Sequence, residues 1–401
     1  MNYKKERSIL KKIGIITMTG GENYGNKLQN YAVQEVIKKL GYSPETIINT
    51  TTIGFNKQKL ELSYIQKLNP LYVVKVIKFR INKLLFIKNE EDRYFKSIFW
   101  TLKHKRKINK ILEERKNVFL NFFNTKIISS DFSISVDNYT NENLSNYEFF
   151  FAGSDQIWNP YYQQNSIIDF LGFAPESKRI SFAPSFGVNT IPNYRKGLYK
   201  EWLNSIPYLS VREEQGAAII KRLTGREAIV LVDPTMMLSK NEWAIVSKIP
   251  KMETNTKYIL TYFLGNQTDS YRKYIEKIAN IHSCKIVNLS EIREFKSYIF
   301  SPEEFIYLIN NAALVCTDSF HGTIFSIIMQ TNFIVFERKE GNRSMNSRLE
   351  TLLNKFDMTN RSFKNMVSNK NPFSTNFNNA KKIIQLEQDK TWEFLKKATN
   401  I

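Results

Sequence analysis

Cysteine is nearly absent: two residues in 401, Cys284 and Cys316, each inside an apolar run. That excludes a disulfide framework and reads as two reduced core thiols, so a cytoplasmic location is expected. Histidine is as scarce, with His104, His282 and His321 far apart, and beside two lone cysteines they offer no zinc-ligand spacing. Neither a metal nor a cofactor is expected. No apolar run reaches the length of about eighteen residues that would span a bilayer. The start, Met1 to Arg7, is polar and basic without an apolar core behind it, so no secretory signal is expected.

Acidic residues are in deficit too, 38 against 58 basic ones, for a net charge of +20. Such a balance points to an anionic partner: nucleic acid, an anionic membrane face or a phosphorylated substrate. Much of the excess lies between Lys67 and Lys126, which reads as helices. There Lys75, Lys78, Arg80, Lys83, Lys88, Lys103, Lys105, Arg106, Lys107 and Lys110 interleave with Tyr72, Phe79, Phe86, Phe95, Phe99 and Trp100. No zinc finger, RNA-recognition signature or basic zipper accompanies them, so nucleic acid is not an expected partner. Two readings remain. One is a basic amphipathic surface in peripheral contact with an anionic membrane, at its inner face; the other is a solvated helical insertion with its aromatics in a local core.

What is present suffices for buried cores: 42% of residues are hydrophobic and 13% aromatic, over a length that suits two domains and a cleft. Strands are expected at Lys12–Thr17, Thr46–Ile48, Glu148–Ala152, Arg179–Ala183, Tyr208–Val211 and Ala228–Val232, with helices at Leu28–Leu40 and Gln215–Leu223. After Asp233-Pro234 and a polar connection, a second series follows. Its strands are Tyr258–Phe263, Lys285–Leu289, Ala313–Cys316 and Asn332–Phe336, and its helices Asp269–Ile281, Pro302–Asn311 and Thr323–Gln330. Alternation of this kind implies parallel sheets, hence an α/β protein of two doubly wound Rossmann-like domains facing a cleft. The expected division is 1–235, carrying the basic helical insertion at about 57–130; a connection at 236–256; a second domain at 257–375; and, at 376–401, a C-terminal helix (Lys381–Lys397) packing back on the first domain.

The chemistry-bearing residues cluster at strand ends. Thr317-Asp318-Ser319-Phe320-His321-Gly322-Thr323 joins an apolar strand to an apolar helix, a turn where free N–H groups and the helix dipole attract anions and ligands bind. A histidine there can exchange protons near neutral pH; read plainly, Asp318 or Ser319 only caps the helix and His321 belongs to the core. Gly20-Gly21-Glu22-Asn23-Tyr24-Gly25-Asn26-Lys27 has neither phosphate-loop nor dinucleotide spacing. It leaves a glycine-permissive loop that can bring Asn23 to a ligand. Gly153-Ser154-Asp155-Gln156-Ile157-Trp158-Asn159 delivers a carboxylate, amides and an indole to one rim, the residue set that grips a sugar; the plain reading is a structural turn. Arg212 ends a strand, where its fork could hold a carboxylate or phosphate, and Glu213 beside it reads alone as surface decoration.

Taken in order, these segments with Ser181-Phe182-Ala183, Ser185-Phe186-Gly187, Val232-Asp233-Pro234-Thr235 and Asn346-Ser347-Arg348 resemble the polysaccharide pyruvyl transferase family from about Ile13 to about Asp357. The resemblance implies a glycosyltransferase-B-like fold and transfer of pyruvate from phosphoenolpyruvate to a sugar, free or lipid-linked, as a cyclic ketal. It implies His321 as the catalytic or donor-contacting histidine, and Asp155 is expected to be catalytic with it. Donor contacts are expected from Arg212, Ser319, Phe320, Gly322, Thr323 and Arg348, and acceptor contacts from Asn23, Tyr24, Gly25, Gln156, Trp158 and Asn159. Some members carry arginine two residues before the histidine; Ser319 stands there instead, and Arg338, Arg343 or Arg348 is expected to supply that cation. A nucleotide-sugar glycosyltransferase of the same fold and a non-catalytic polyanion- or membrane-binding protein are the alternatives.

Overall fold

The computed structural model describes residues 10–51, 91–140, 142–162, 165–252, 256–338, 343–366 and 371–401. It falls into two units, one of residues 1–51 and 115–401, the other of residues 52–114.

In the larger unit, β1 (Lys12–Ile16), β2 (Ser43–Asn49), β3 (Ser129–Ile134), β4 (Tyr147–Ala152) and β5 (Arg179–Ser181) form a sheet in the order β3-β2-β1-β4-β5, parallel throughout. Its central strands are apolar on both faces because helices cover both; Ile13, Ile15 and Ile16 of β1 and Phe150 and Phe151 of β4 are fully buried. A parallel pair, β6 (Ser210–Val211) and β7 (Ile229–Val230), continues it. The link is the Ile180–Tyr208 bridge, where the Ser181 N–H donates to the Tyr208 carbonyl at 3.0 Å. The second sheet, again parallel, runs β11-β10-β8-β9, from β8 (Tyr258–Tyr262), β9 (Lys285–Asn288), β10 (Leu314–Thr317) and β11 (Phe333–Val335). Parallel strands bring their carboxyl ends to one edge, and that edge carries Asp155, Arg212, Asp233 and His321.

Helices from the two sheets interlock through aromatic rings. The helix Tyr24–Lys39 follows β1. Its Tyr24 is fully buried, stacked on Phe305 at 4.4 Å and edge-on to Tyr262 at 5.4 Å, and its hydroxyl donates to the Phe300 carbonyl at 3.0 Å. Trp243 in turn lies between Tyr31 and Phe325, at 5.7 and 5.0 Å. Buried Arg115 lies 5.2 Å over the Tyr24 ring and donates to the Glu22 carbonyl at 3.1 Å. The helix Asn378–Thr399 reaches Tyr42, whose hydroxyl donates to the Thr399 carbonyl, and Gln388 donates to the Met236 carbonyl at 2.6 Å.

The structure corrects one helix start and adds two elements that the sequence did not announce. The first helix begins at Tyr24, not Leu28, because the Asn23 side chain accepts from the Asn26 N–H and caps it there. The connection at 236–256 contains the helix Lys240–Val246, started by a Ser239–Glu242 capping box. The helix Glu91–Lys126 ends where the helical reading of the insertion ends, and the chain then enters β3, an unexpected strand whose mostly polar residues gave no apolar run. On that helix Lys103, Lys105, Arg106, Lys107 and Lys110 are exposed, and Trp100 stacks on His104 at 4.5 Å. Tyr72, Lys75, Lys78, Phe79, Arg80, Lys83, Phe86 and Lys88, with the side chains of Phe95 and Phe99, lie outside the described residues.

The Tyr24 joint is testable by urea unfolding. Tyr24→Phe keeps the stack and loses one hydrogen bond, costing about 1 kcal/mol. Tyr24→Ala empties a fully buried aromatic position between the sheets and costs about 3–5 kcal/mol.

Candidate active site

Arg212 follows β6 directly, and its side chain is 1% exposed. Its Nη1 donates to Asp233 Oδ2 at 2.7 Å, while Nη2 stands 3.6 Å from Asp155 and Nε 3.8 Å from Glu213. Among the described residues, Nε and Nη2 have no hydrogen-bond partner. Burial alone would pull the Arg212 pKa down, but Asp233, Asp155 and Glu213 hold it above the usual value. Burial likewise works against the Asp233 carboxylate, and His321 and Arg212 overcome it, leaving its pKa well below the carboxylate range.

Each carboxylate is aimed by its own loop. Asp155, straight after β4, has a left-handed backbone with φ 64°, a conformation that aspartate tolerates better than most residues. Glu213 accepts from the Ser185 hydroxyl at 2.7 Å and the Phe186 N–H at 3.2 Å. Asp233, after β7, accepts through Oδ1 from the Thr235 N–H and hydroxyl at 3.0 and 2.8 Å.

The β10 turn faces this cluster. Buried His321 puts Nε2 3.4 Å from Asp233 Oδ2. On its other side lies Gly25, where an added Cβ would stand 2.0 Å from Nδ1; only glycine lets the imidazole approach the first helix so closely. Phe320 lies under two guanidiniums, Arg212 at 4.4 Å and Arg348 at 5.0 Å from its ring centre. Burial, and then the nearness of Arg212, pushes the Arg348 pKa down to about 10. A cavity of about 30 Å³, the room of one water, is walled by Arg212, Glu213, Asp233, Phe320, Arg348 and Lys355, among others. Its walls thus carry three cations and two carboxylates; Lys355 is also paired with Glu387 at 2.9 Å.

The structure therefore brings His321, Asp155, Arg212, Phe320 and Arg348 together. It adds two residues to which the sequence reading gave no role, Asp233 and Glu213; the signal was a charged residue directly after a buried strand. Other expected contacts sit elsewhere. Tyr24 is core between the sheets. Trp158 is fully buried, stacked on Phe170 at 5.0 Å, and its N–H donates to the Asp169 carbonyl at 2.9 Å, so it offers no open face to a sugar. Ser319, Gly322 and Thr323 bond among themselves: the Ser319 hydroxyl accepts from the Gly322 N–H and the Thr323 hydroxyl donates to the Ser319 carbonyl. None of the three lines the cavity. Asn23 caps its helix, and the Gln156 side chain accepts from Asn159 at 2.9 Å. Of the candidate cations, Arg338 pairs with Asp318 at 3.1 Å, the Arg343 side chain lies outside the described residues, and Arg348 lines the cavity. Among the described residues no His, Cys, Asp or Glu cluster is disposed to hold a metal ion, and no helix is long and apolar enough to cross a membrane.

A second hollow of about 30 Å³ lies past β1 and β2, lined by Thr17, Thr19, Asn49, Tyr162, Asn165 and Asp169, among others. Burial pushes the Asp169 pKa up to about 7, against the Ser166 N–H and Asn49 amide that favour its ionised form. An acid raised on folding stabilises below its unfolded pKa, near 4, and loses that contribution as pH rises towards 7. Asp169→Asn is expected to flatten the stability curve between about pH 4 and pH 7, measured by thermal unfolding at stepped pH.

The model of one family, polysaccharide pyruvyl transferase, matches residues 23–340. No curated protein matches the chain. Among solved structures, a candidate UDP-N-acetylglucosamine 2-epimerase from Listeria monocytogenes is similar at 10% identity over 96% of both chains, with a TM-score of 0.44. UDP-GlcNAc 2-epimerase from Methanocaldococcus jannaschii is similar at 14% identity over 94% of this chain and 99% of that one, with a TM-score of 0.38.

Proposed function

The chain belongs to the polysaccharide pyruvyl transferase family, and from that premise we propose that it transfers pyruvate from phosphoenolpyruvate to two hydroxyls of a sugar. The product is a pyruvate ketal on a surface polysaccharide or its lipid-linked precursor, and phosphate leaves. The observation that carries this reading is the convergence of two buried guanidiniums, Arg212 and Arg348, on one cavity beside the His321 turn. Phosphoenolpyruvate has a carboxylate and a phosphate, and charge-assisted bonds of roughly 1.5–3 kcal/mol each would hold them. The Nε and Nη2 groups of Arg212, in ion-pair range of Glu213 and Asp155 but without hydrogen-bond partners among the described residues, suit that role.

The chemistry requires proton traffic. Protonation of the methylene carbon makes the central carbon electrophilic, one sugar hydroxyl adds there, phosphate departs, and the second hydroxyl closes the ketal. Of the two hydroxyl protons, one balances that added to the methyl carbon and the other that taken up by phosphate. His321 is the proton carrier in this scheme and Asp155 a carboxylate within its cluster. The acceptor side of the site would fall to the first-sheet loops, with Gln156 and Asn159 at their rim.

Phosphate release from phosphoenolpyruvate with a sugar acceptor tests the reading; turnover of a nucleotide sugar instead would replace it. His321→Ala is expected to lower turnover about 10²–10⁴-fold in a folded protein. Arg348→Gln is expected to raise the KM for phosphoenolpyruvate roughly tenfold to a hundredfold, as the loss of one charge-assisted contact implies.

Peripheral attachment to an anionic membrane belongs to the same proposal. It is supported by the exposed cations Lys103, Lys105, Arg106 and Lys107, each worth about 1 kcal/mol near such a surface. The protein should co-sediment with anionic but not neutral liposomes at low salt. Changing those four residues to glutamate should abolish this while turnover on a soluble acceptor persists.

A further inference from the structure

We propose that Asp233 positions His321 by holding its Nε2–H tautomer, which leaves the lone pair on Nδ1. The part that the ring plays in turnover rests on the reading above; the tautomer rests on geometry alone. Asp233 is 2% exposed, and its Oδ1 is pinned by both the N–H and the hydroxyl of Thr235. Its other oxygen, Oδ2, faces Arg212 Nη1 at 2.7 Å and His321 Nε2 at 3.4 Å.

An ionised carboxylate accepts and cannot donate, so a neutral imidazole facing it must carry its proton on Nε2. Arg212 on the same oxygen keeps Asp233 ionised and therefore keeps it an acceptor. Nε2 is enclosed and, among the described residues, has no closer partner than Asp233. At 3.4 Å its contact with Asp233 is long, as catalytic pairs often are before substrate fills the site.

The lone pair then sits on Nδ1, the nitrogen beside Gly25. Because residue 25 has no Cβ, the ring packs directly against the first helix there: an added Cβ would stand 2.0 Å from Nδ1. One residue thus sets where the proton stays and another lets the ring pack closely on the helix. When Nδ1 takes up a proton, the ring becomes imidazolium and Asp233 stabilises that charge from the Nε2 side. When Nδ1 gives the proton up, the starting tautomer returns.

The test is a long-range proton–nitrogen spectrum of the full-length protein labelled at its histidines. Only three exist, and His321→Gln identifies the signal. Recorded across the titration, the neutral His321 ring is expected to show a protonated Nε2 and a bare Nδ1. Asp233→Asn presents an amide donor to Nε2, so the ring should shift towards the Nδ1–H form and kcat should fall about 10²–10⁴-fold, as misplaced tautomers in comparable pairs do. Thr235→Val, which loosens the carboxylate without removing it, should show a smaller change of the same kind and covers the case in which Asp233→Asn does not fold. A native ring with Nδ1–H, a ring protonated on both nitrogens throughout, or variants that leave spectrum and kcat unchanged would overturn the proposal. If the tautomer depends on Asp233 but phosphoenolpyruvate is not turned over, the pair stands and the donor assignment falls.

Discussion

A guanidinium taken out of water costs several kcal/mol unless its charge is answered where it sits, and Arg212 is answered by carboxylates delivered from three strand ends. Asp155 comes after β4, Glu213 after β6 and Asp233 after β7. Removal of any one would leave a buried charge short of its partner. The first sheet's loops must therefore hold one arrangement, and each carboxylate has its own brace: a left-handed backbone at Asp155, Ser185 at Glu213, Thr235 at Asp233. Rigidity at the carboxyl edge follows from charge balance more than from apolar packing.

The second sheet joins that arrangement through two contacts of different kinds. Rings carry the load: Tyr24 on Phe305 and Trp243 on Phe325 bury apolar surface between helices that belong to different sheets. His321 then completes the polar side, reaching Asp233 across the same boundary past Gly25. The imidazole is thus shared by both halves of the unit, with an acid from one and its backbone from the other. A ring held from both halves has its place set by the fold.

Much of the fold was legible because parallel sheets covered on both faces write long apolar runs into the chain. Phe149-Phe150-Phe151-Ala152 and Leu314-Val315-Cys316 announce buried strands, and Pro302–Asn311 reads as the helix that is found there. β3 was not legible, since an edge strand with one half-covered face alternates weakly and Ser129–Ile134 is mostly polar. Residue type also misled at Trp158 and Tyr24. An aromatic with a polar handle suits a sugar platform and a core equally well, and here both handles are satisfied by backbone carbonyls of Asp169 and Phe300.

Sequence by itself determined the α/β class, the strand ends at which charged residues fall, and His321 as the histidine on a strand-to-helix turn. These are local properties, set by periodicity and by residues adjacent in the chain. Only the tertiary structure decided that Asp233 stands between Arg212 and His321, that Glu213 turns inward, and that Gly25 is small to admit an imidazole some three hundred residues away. Such pairings depend on which strand ends become neighbours once the sheets form, and on the desolvation that makes each buried charge require a partner. Neither is written in any one segment of the chain.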